Sequence, residues 1–506
     1  MNHILFSLTF MLAALSATAA SATGAHIEKN ITVPGTLSQA VGADTGATEL
    51  VVTGHIDVRD LDFIASAMTA LENLNLSGAS IAAWDGRRQL TPQTSFAANE
   101  LPSLSLAGCK AKIILLPATL TAIGEGALAG AAMESIEIPA SVTVIGAGAF
   151  AGAPALKQLT FPATVTNPGD ALFRGCPSLA VVYYNASLVP DYAFAECGAL
   201  RDVYLSRATT SIGRSAFRGD SSLSLLSLSR EASRLTHIGD HAFHGTAITQ
   251  LDLSNHQSLT SIGAWAFADC RALERLYLPP HVTDVGEAAF FNASRLEDFS
   301  DLQAATIGDA TFKGVSRLTF HNIAGNNAEE FGRYAFYGMS ALETIHLPDG
   351  LAYIGDHAFD GCTSLKEMNA PAIGSVPALG SDVWKGLDKS TITLGVPRSM
   401  IAAFSATPVW REFRIGLAGG DTPEADIAPM GDRPGISARF NGSVLIVDTN
   451  DEMRWIALYD VMGHMLHQSR PDDTRASIET SAWTGPVFIV KTITADGREA
   501  AVKTAR

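Results

Sequence analysis

Charge is what this chain has least of. Asp, Glu, Lys and Arg together make up 17% of its 506 residues, where an ordinary soluble domain carries about 25%. Apolar residues reach 47%, too many for the low-hydrophobicity signature of a disordered chain. A membrane protein also reaches such a composition. Beyond the N-terminus, however, no stretch approaches the roughly 18 uninterrupted apolar residues a spanning helix needs. Basic residues are scarce, with Lys+Arg 35 against Asp+Glu 51 and a net charge of −16. That balance argues against nucleic acid as a partner, because phosphate-backbone binding runs on clustered Lys and Arg. The signatures of several enzyme classes are missing too. No G-x-S-x-G elbow presents a nucleophilic serine. Gly124-Glu-Gly126-Ala-Leu-Ala-Gly130 and Gly146-Ala-Gly148-Ala-Phe-Ala-Gly152 are glycine-rich, yet neither reads G-x-G-x-x-G and no Lys-Ser/Thr follows. His237, His241 and His244 lie within eight residues, but no H-E-x-x-H supplies a zinc site with its general base. They read as exposed turn histidines. The expectation is a non-enzyme with no catalytic residue, cofactor or metal.

What is present begins with an address. The apolar stretch Ile4 to Ala20 runs into Ala17-Thr18-Ala19 and Ala20-Ser21-Ala22, both of A-x-A form. Residues 1–22 are therefore expected to be a secretory signal peptide, with mature protein starting near Thr23. The n-region departs from the pattern in carrying only His3 and no Lys or Arg. The first cysteine is Cys109, so no lipid-anchored Cys is expected at the cleavage site.

A repeat of about 23 residues then organises most of the chain. Ile145-Gly146…Phe150 recurs as Ile212-Gly213…Phe217, Ile238-Gly239…Phe243 and Ile262-Gly263…Phe267. It continues as Val285-Gly286…Phe290, Ile307-Gly308…Phe312 and Ile354-Gly355…Phe359. Leu128, Phe173, Phe194, Phe336 and Trp384 fill the same slot, so ten of the 23 Phe occupy one column. After the aromatic comes Leu-x-x-Leu-x-Leu, as in Leu156…Leu159-Thr-Phe161, Leu273…Leu276-Tyr-Leu278 and Leu342…Ile345-His-Leu347. The alternating tail has strand periodicity, and Pro117, Pro139, Pro162, Pro279 and Pro348 end it. A tight turn at the glycine and a short helical turn at Ala-Phe complete the expected unit. One unit cannot bury its columns alone, whereas stacked units make each column a continuous core. The high apolar content follows from this without any membrane span.

These residues resemble the BspA-like leucine-rich repeats. The motif Ile-Gly-x-x-Ala-Phe-x-Gly-Cys-x-x-Leu-x-x-Leu-x-Leu-Pro is close to that family's consensus, and the likeness covers about residues 70–415. The expected fold is an α/β-type repeat solenoid, a parallel sheet with short helical turns, over residues 76–415. Residues 23–75 look like its N-terminal cap. The pattern loosens near Leu318…Ile323 and at Asn185, where rungs are expected to bulge.

The repeat gives way to a Gly/Pro/Asp-rich linker over 416–435. Short alternating runs follow, Val444–Val447, Trp455–Tyr459 and Val487–Val490, with turn signals at Asn441-Gly442 and Asp496-Gly497. Residues 436–506 read as a small all-β sandwich. Tyr459-Asp460-Val461-Met462-Gly463-His464, Gly485-Pro-Val-Phe488-Ile-Val490-Lys491 and Lys503 resemble the C-terminal sorting domain of type IX secretion substrates. The usual Gly-x-Tyr is here Gly485…Phe488, with one extra residue. The resemblance implies that residues 436–506 engage a secretion machinery in the outer membrane of a Gram-negative bacterium. An ordinary immunoglobulin-like module shares the strand pattern.

Cys176, Cys197, Cys270 and Cys362 each lie three residues after the column aromatic, and Cys109 follows Gly108 in the matching place. A secreted location permits disulfides, and Cys176 and Cys197 fall on adjacent rungs. The odd count and the shared phase favour a reduced ladder of small hydrophobes.

Function in a solenoid sits on its broad exposed face. The outward residues between the last two Leu are Glu137, Thr160, Tyr183, Tyr204, Ser227, Asp252, Tyr277, His346 and Asn369. Tyr and Arg anchor many protein interfaces, although strand propensity alone also favours Tyr. Tyr183, Tyr204, Asp252, Arg275, Tyr277 and His346 are the expected partner-binding residues, facing an extracellular protein ligand. The BspA resemblance implies adhesion to host proteins or other cells. An extracellular glycan-binding or protein-inhibitor module, also non-catalytic, is the alternative.

Overall fold

The computed structural model describes residues 25–228, 234–300, 302, 304, 306–321, 328–418 and, with short gaps, 436–505. The expected signal peptide and most of the expected linker lie outside the described residues. The chain divides into two compact units, Met1–Asp421 and Thr422–Arg506.

The first unit opens with three parallel strands, His26–Ile31, Glu49–Ile56 and Asn73–Ile81. Helices α1 (Leu37–Val41) and α2 (Val58–Ala67) cross between them. Asp57 starts α2 with a capping box: its carboxylate accepts from Arg59 N, and Asp60 accepts from Asp57 N at 3.0 Å. The buried Asp60 carboxylate also accepts from Gly35 N (2.6 Å) and Leu37 N (2.8 Å), tying the start of α1 to the start of α2. A buried charge is tolerated because donors surround it. The same sheet runs on through Ile113–Leu115 and Ser135–Ile136, so the first rungs have no bare edge.

Every rung feeds two parallel ladders. The Leu-x-Leu tails form one, including Gln158–Phe161, Val181–Tyr184, Asp202–Leu205 and Leu225–Leu228 in register. Leu159, Val182, Val203 and Leu226 are buried, while Thr160, Tyr183, Tyr204 and Ser227 line the other face. Dipeptides ahead of the glycine form the second, such as Ser211–Ile212, His237–Ile238, Ser261–Ile262 and Asp284–Val285. Between the ladders the column rings stack from Phe150 to Trp384, with centroids 4.8–5.9 Å apart and planes within 24°.

The parallel solenoid is as expected, but its corners are not helical turns. Among the described residues no helix lies between α2 and the 3-10 turn Lys389–Thr391. Instead the corner amides form a third inter-rung ladder, for example Phe217 N to Ala242 O and Phe243 N to Ala266 O, both 2.8 Å. The residue two before each ring is left-handed, including Tyr192 (φ 56), His241 (φ 54), Trp265 (φ 58), Tyr334 (φ 57) and His357 (φ 55). The glycine of Ile-Gly has a different purpose from the expected turn. Its φ is ordinary, but a Cβ on Gly263 would lie 2.4 Å from Asp240 N. Glycine there lets neighbouring rungs approach. At Asn185 no bulge occurs. Val181–Tyr184 pairs without register shift on both sides, and buried Tyr184 Oη donates to Leu188 O (2.6 Å), closing the shorter loop.

The ring stack ends on Trp384. It meets Trp410 at 67° and Phe413 at 77°, and Phe404 of α3 (Ile401–Ala406) packs on Trp410 at 87°. Trp410 Nε1 donates to Pro377 O at 3.0 Å.

In the second unit the expected sandwich is one six-stranded antiparallel sheet that curls through a 17-residue strand, Val444–Asp460. Its first part pairs with Ile436–Asn441 and Asp473–Glu479, its second with Met465–Ser469 and Val487–Thr494. Register shifts between Asp448 and Trp455 mark the change of partners, as bulges bend strands. Leu445, Val447, Ile456, Leu458, Ile478, Phe488 and Val490 fill the core.

Candidate functional site

The expected partner-binding residues fall into three groups. Tyr183 and Tyr204 occupy paired positions on adjacent strands, and their rings stack 4.9 Å apart at 11°. Tyr183 is 40% exposed, high for an aromatic. Beside them Arg201 Nε pairs with Asp202 Oδ2 at 3.0 Å. Asp252 and Tyr277 pair in a second sheet. Asp252 is engaged in its own turn, accepting from Ser254 N (3.0 Å) and Ser254 Oγ (2.6 Å). Arg275 Nη2 donates to Gln250 Oε1 at 2.9 Å, and Tyr277 Oη donates to Asp298. His346 stands opposite Asn369 in a third sheet. The stacked tyrosine pair is thus a preformed apolar platform, the Asp252–Arg275–Tyr277 group is knitted to neighbouring rungs, and His346 is in neither group.

A second surface, absent from the sequence expectations, runs along the left-handed corners. His241 stacks on Trp265 (6.0 Å), and Trp265 meets Phe291 (5.2 Å). Tyr334 meets Tyr337 (5.7 Å) and stacks on His357 (5.1 Å, 2°). The Lys313 ammonium lies between these rings, 4.7 Å from the Tyr334 centroid, 5.0 Å from Tyr337 and 5.9 Å from Phe291. Upstream, the Arg174 and Arg214 guanidiniums lie over Tyr192. The signal was in the second variable position of Ile-Gly-x-x-Ala-Phe. The repeat demands only a left-handed residue there, yet five rungs carry Tyr, His or Trp.

Of the three histidines, His241 and His244 sit on this corner, while His237 lies in the second ladder beside Ser261. His244 Nε2 is 3.8 Å from Asp269 Oδ2, and among the described residues no group of three His, Cys, Asp or Glu is placed to hold a metal. The cysteines are free and buried. Four of the thiols donate to the column carbonyl one rung back: Cys176 to Phe150 O (3.3 Å), Cys197 to Phe173 O (3.1 Å), Cys270 to Phe243 O (3.0 Å) and Cys362 to Phe336 O (3.2 Å). Burial pushes the Cys270 thiol up to about 11 and Cys362 up to about 12. Asp220 takes the cysteine position in its own rung. Its Oδ1 accepts from Cys197 N (2.8 Å), and burial raises its carboxyl well above the usual range.

In the second unit, Tyr459 pairs with Ile489 and its ring lies 5.3 Å from the Lys491 ammonium. Residues 461–464 and 484–486 of the sorting-domain resemblance lie outside the described residues.

Residues 98–189, 187–319 and 298–399 match the BspA type leucine rich repeat region, in six copies. No curated protein matches the chain. Solved structures similar to it include a leucine-rich repeat protein from Bacteroides ovatus, at 23% identity over 72% of this chain and 84% of that one (TM-score 0.49). A leucine rich cell surface protein from Faecalibacterium prausnitzii is 21% identical over 55% of this chain and 84% of that one (TM-score 0.30). A leucine-rich repeat protein from Eubacterium ventriosum is 18% identical over 66% and 88% (TM-score 0.36). Among the described residues no helix is long and apolar enough to cross a membrane. With the repeat match spanning more than half of its length, the chain belongs to the BspA-type leucine-rich repeat proteins.

Proposed function

We propose that this chain is a secreted, surface-displayed interaction protein that adheres to host or other cells through an extracellular protein ligand, without catalysis. The observation that carries the reading is the stacked Tyr183–Tyr204 pair on the strand face, with Tyr183 exposed and Tyr204 half-buried. Aromatic anchors whose rings are already ordered lose little entropy on binding. Asp252, Arg275, Tyr277 and His346 supply polar contacts farther along that face. Residues 1–22 direct export, 23–75 cap the solenoid of 76–415, 416–435 link, and 436–506 take the chain through type IX secretion across a Gram-negative outer membrane.

The test uses the full chain lacking only residues 1–22, presented to immobilised host matrix and cell-surface proteins. The expected result is a saturable ligand whose affinity falls by about 2 kcal/mol in Tyr204→Ala, the size of an interface hot spot. Absence of binding to every protein on the panel overturns adhesion. Deleting 436–506 is expected to leave the protein in the periplasm, and normal surface arrival overturns the sorting assignment.

A further inference from the structure

We infer that the corner ridge of Trp265, Phe291, Lys313, Tyr334, Tyr337 and His357 binds an acidic polysaccharide, sugar faces against the rings and a carboxylate at Lys313. The inference is independent of the strand-face reading.

Three observations carry it. Trp265, Tyr334 and His357 hold left-handed backbone (φ 58, 57 and 55), where bulky side chains are outliers and glycine is at ease. Gly148 fills the same position in its own rung (φ 59), so the fold does not require these rings. Small residues also fill it elsewhere, as Ala171, Ser215, Ala288 and Ala310 do, so the rings are an addition to what the corner needs.

Second, Lys313 makes no ion pair among the described residues, although other cations along the corners do. Arg174 pairs with Glu196, Arg214 with Asp191 and Arg333 with Asp309. Two carboxylates beside the ridge are engaged by its own rings: Glu287 accepts from Trp265 Nε1 (3.5 Å), and Asp360 Oδ2 lies 2.9 Å from His357 Nδ1. Asp382 stands 3.9 Å from His357 Nε2. An ammonium framed by three rings is left to meet an incoming anion.

Third, the ridge offers a peptide no backbone to pair with. The amides of Trp265, Ala288, Ala310, Tyr334 and His357 all donate to the next rung at 2.8–2.9 Å. Recognition there falls to ring faces and one cation. A pyranose ring presents a flat C–H face to an aromatic ring, and a uronic acid adds a carboxylate. A repeating saccharide also matches a surface that repeats rung by rung.

The test is affinity electrophoresis of the full chain lacking residues 1–22 through gels containing polygalacturonate, dextran or polyglutamate. Retardation by polygalacturonate and not by dextran is expected. Lys313→Gln and Tyr334→Gly should each weaken it roughly tenfold, as for anchor residues, and Tyr204→Ala should leave it unchanged. Tyr334→Gly relaxes the left-handed backbone but gives up the ring contacts to Tyr337, His357 and Lys313, so its melting temperature is read beside the gel to separate lost binding from lost folding. No retardation by polygalacturonate, equal retardation of the variants, or equal retardation by polyglutamate overturns the inference, the last pointing to an acidic peptide instead.

Discussion

Replacing Gly263 with alanine tests how the rungs are held together. A Cβ there would stand 2.4 Å from Asp240 N and 2.5 Å from Asp240 Oδ1. Comfortable contact begins at roughly 3.5 Å, so the two rungs must part by about 1 Å. Gly263 N donates to Ile238 O at 2.8 Å and Ala264 N to Asp240 Oδ1 at 2.8 Å. An added 1 Å takes both to about 3.8 Å, beyond hydrogen-bonding range. Two lost bonds at about 1 kcal/mol each, with overpacking of about 1–3 kcal/mol, give a destabilisation of about 3–5 kcal/mol. Two residues after the corresponding Gly308 the opposite holds. Ala310 is left-handed (φ 55), a conformation that costs a non-glycine residue about 1–2 kcal/mol. Ala310→Gly recovers that, less about 0.5–1 kcal/mol of chain entropy, for a net gain of up to about 1.5 kcal/mol. Urea unfolding followed by circular dichroism reads both, and hydrogen exchange locates the opening. A Gly263→Ala protein with the parent's midpoint, or an Ala310→Gly protein clearly weaker than the parent, refutes the close-approach account.

Asp220 should make the protein less stable as pH rises. Its folded carboxyl titrates above its unfolded value, so the folded state binds the extra proton. Stability is then greatest below the unfolded value and falls as pH climbs toward the folded one. Asp220→Asn keeps an acceptor for Cys197 N and should raise the unfolding midpoint at pH 7, with the gain fading in acid; a gain that persists unchanged in acid contradicts this. The five cysteines should resist thiol reagents at pH 8 in the folded protein and react once it is denatured; rapid labelling of native protein contradicts the buried thiol ladder. Phe217 is buried between two rings at 5.4 Å, so Phe217→Ala should cost about 3–5 kcal/mol. Hydrogen exchange should show the loss concentrated at rungs 194–243, since stability passes between neighbours.

The inward half of the solenoid was legible because every rung repeats the same burial. The ring column, the Leu columns and the cysteine phase all appear in the structure where the period puts them. Glycine was harder, since a turn and a close approach demand the same residue; only the ordinary φ of Gly263 separates them. The second ladder was hidden because dipeptides such as Ser261–Ile262 are too short to show alternation. The Trp265–Lys313–His357 ridge was hidden because the repeat fixes the left-handed backbone at its position but not the side chain, so the aromatics alternate there with Gly, Ala and Ser. In the last domain, Val444–Val447 and Trp455–Tyr459 read as separate strands. Polar residues Thr449–Glu452 divide them in sequence, yet the backbone runs through as one bent strand.

A stack of flat rings has no intrinsic end, and a bare terminal face invites another molecule to continue it. The other end of the solenoid is covered by the strands between His26 and Ile81, so two chains bared in this way would meet face to face and close as a pair. The crosswise rings of Trp410 and Phe413 present edges to Trp384 where the next parallel ring would lie. The segment from Ile401 onward therefore keeps the molecule single at this end, and a protein cut before it is expected to dimerise through the bared Trp384 face.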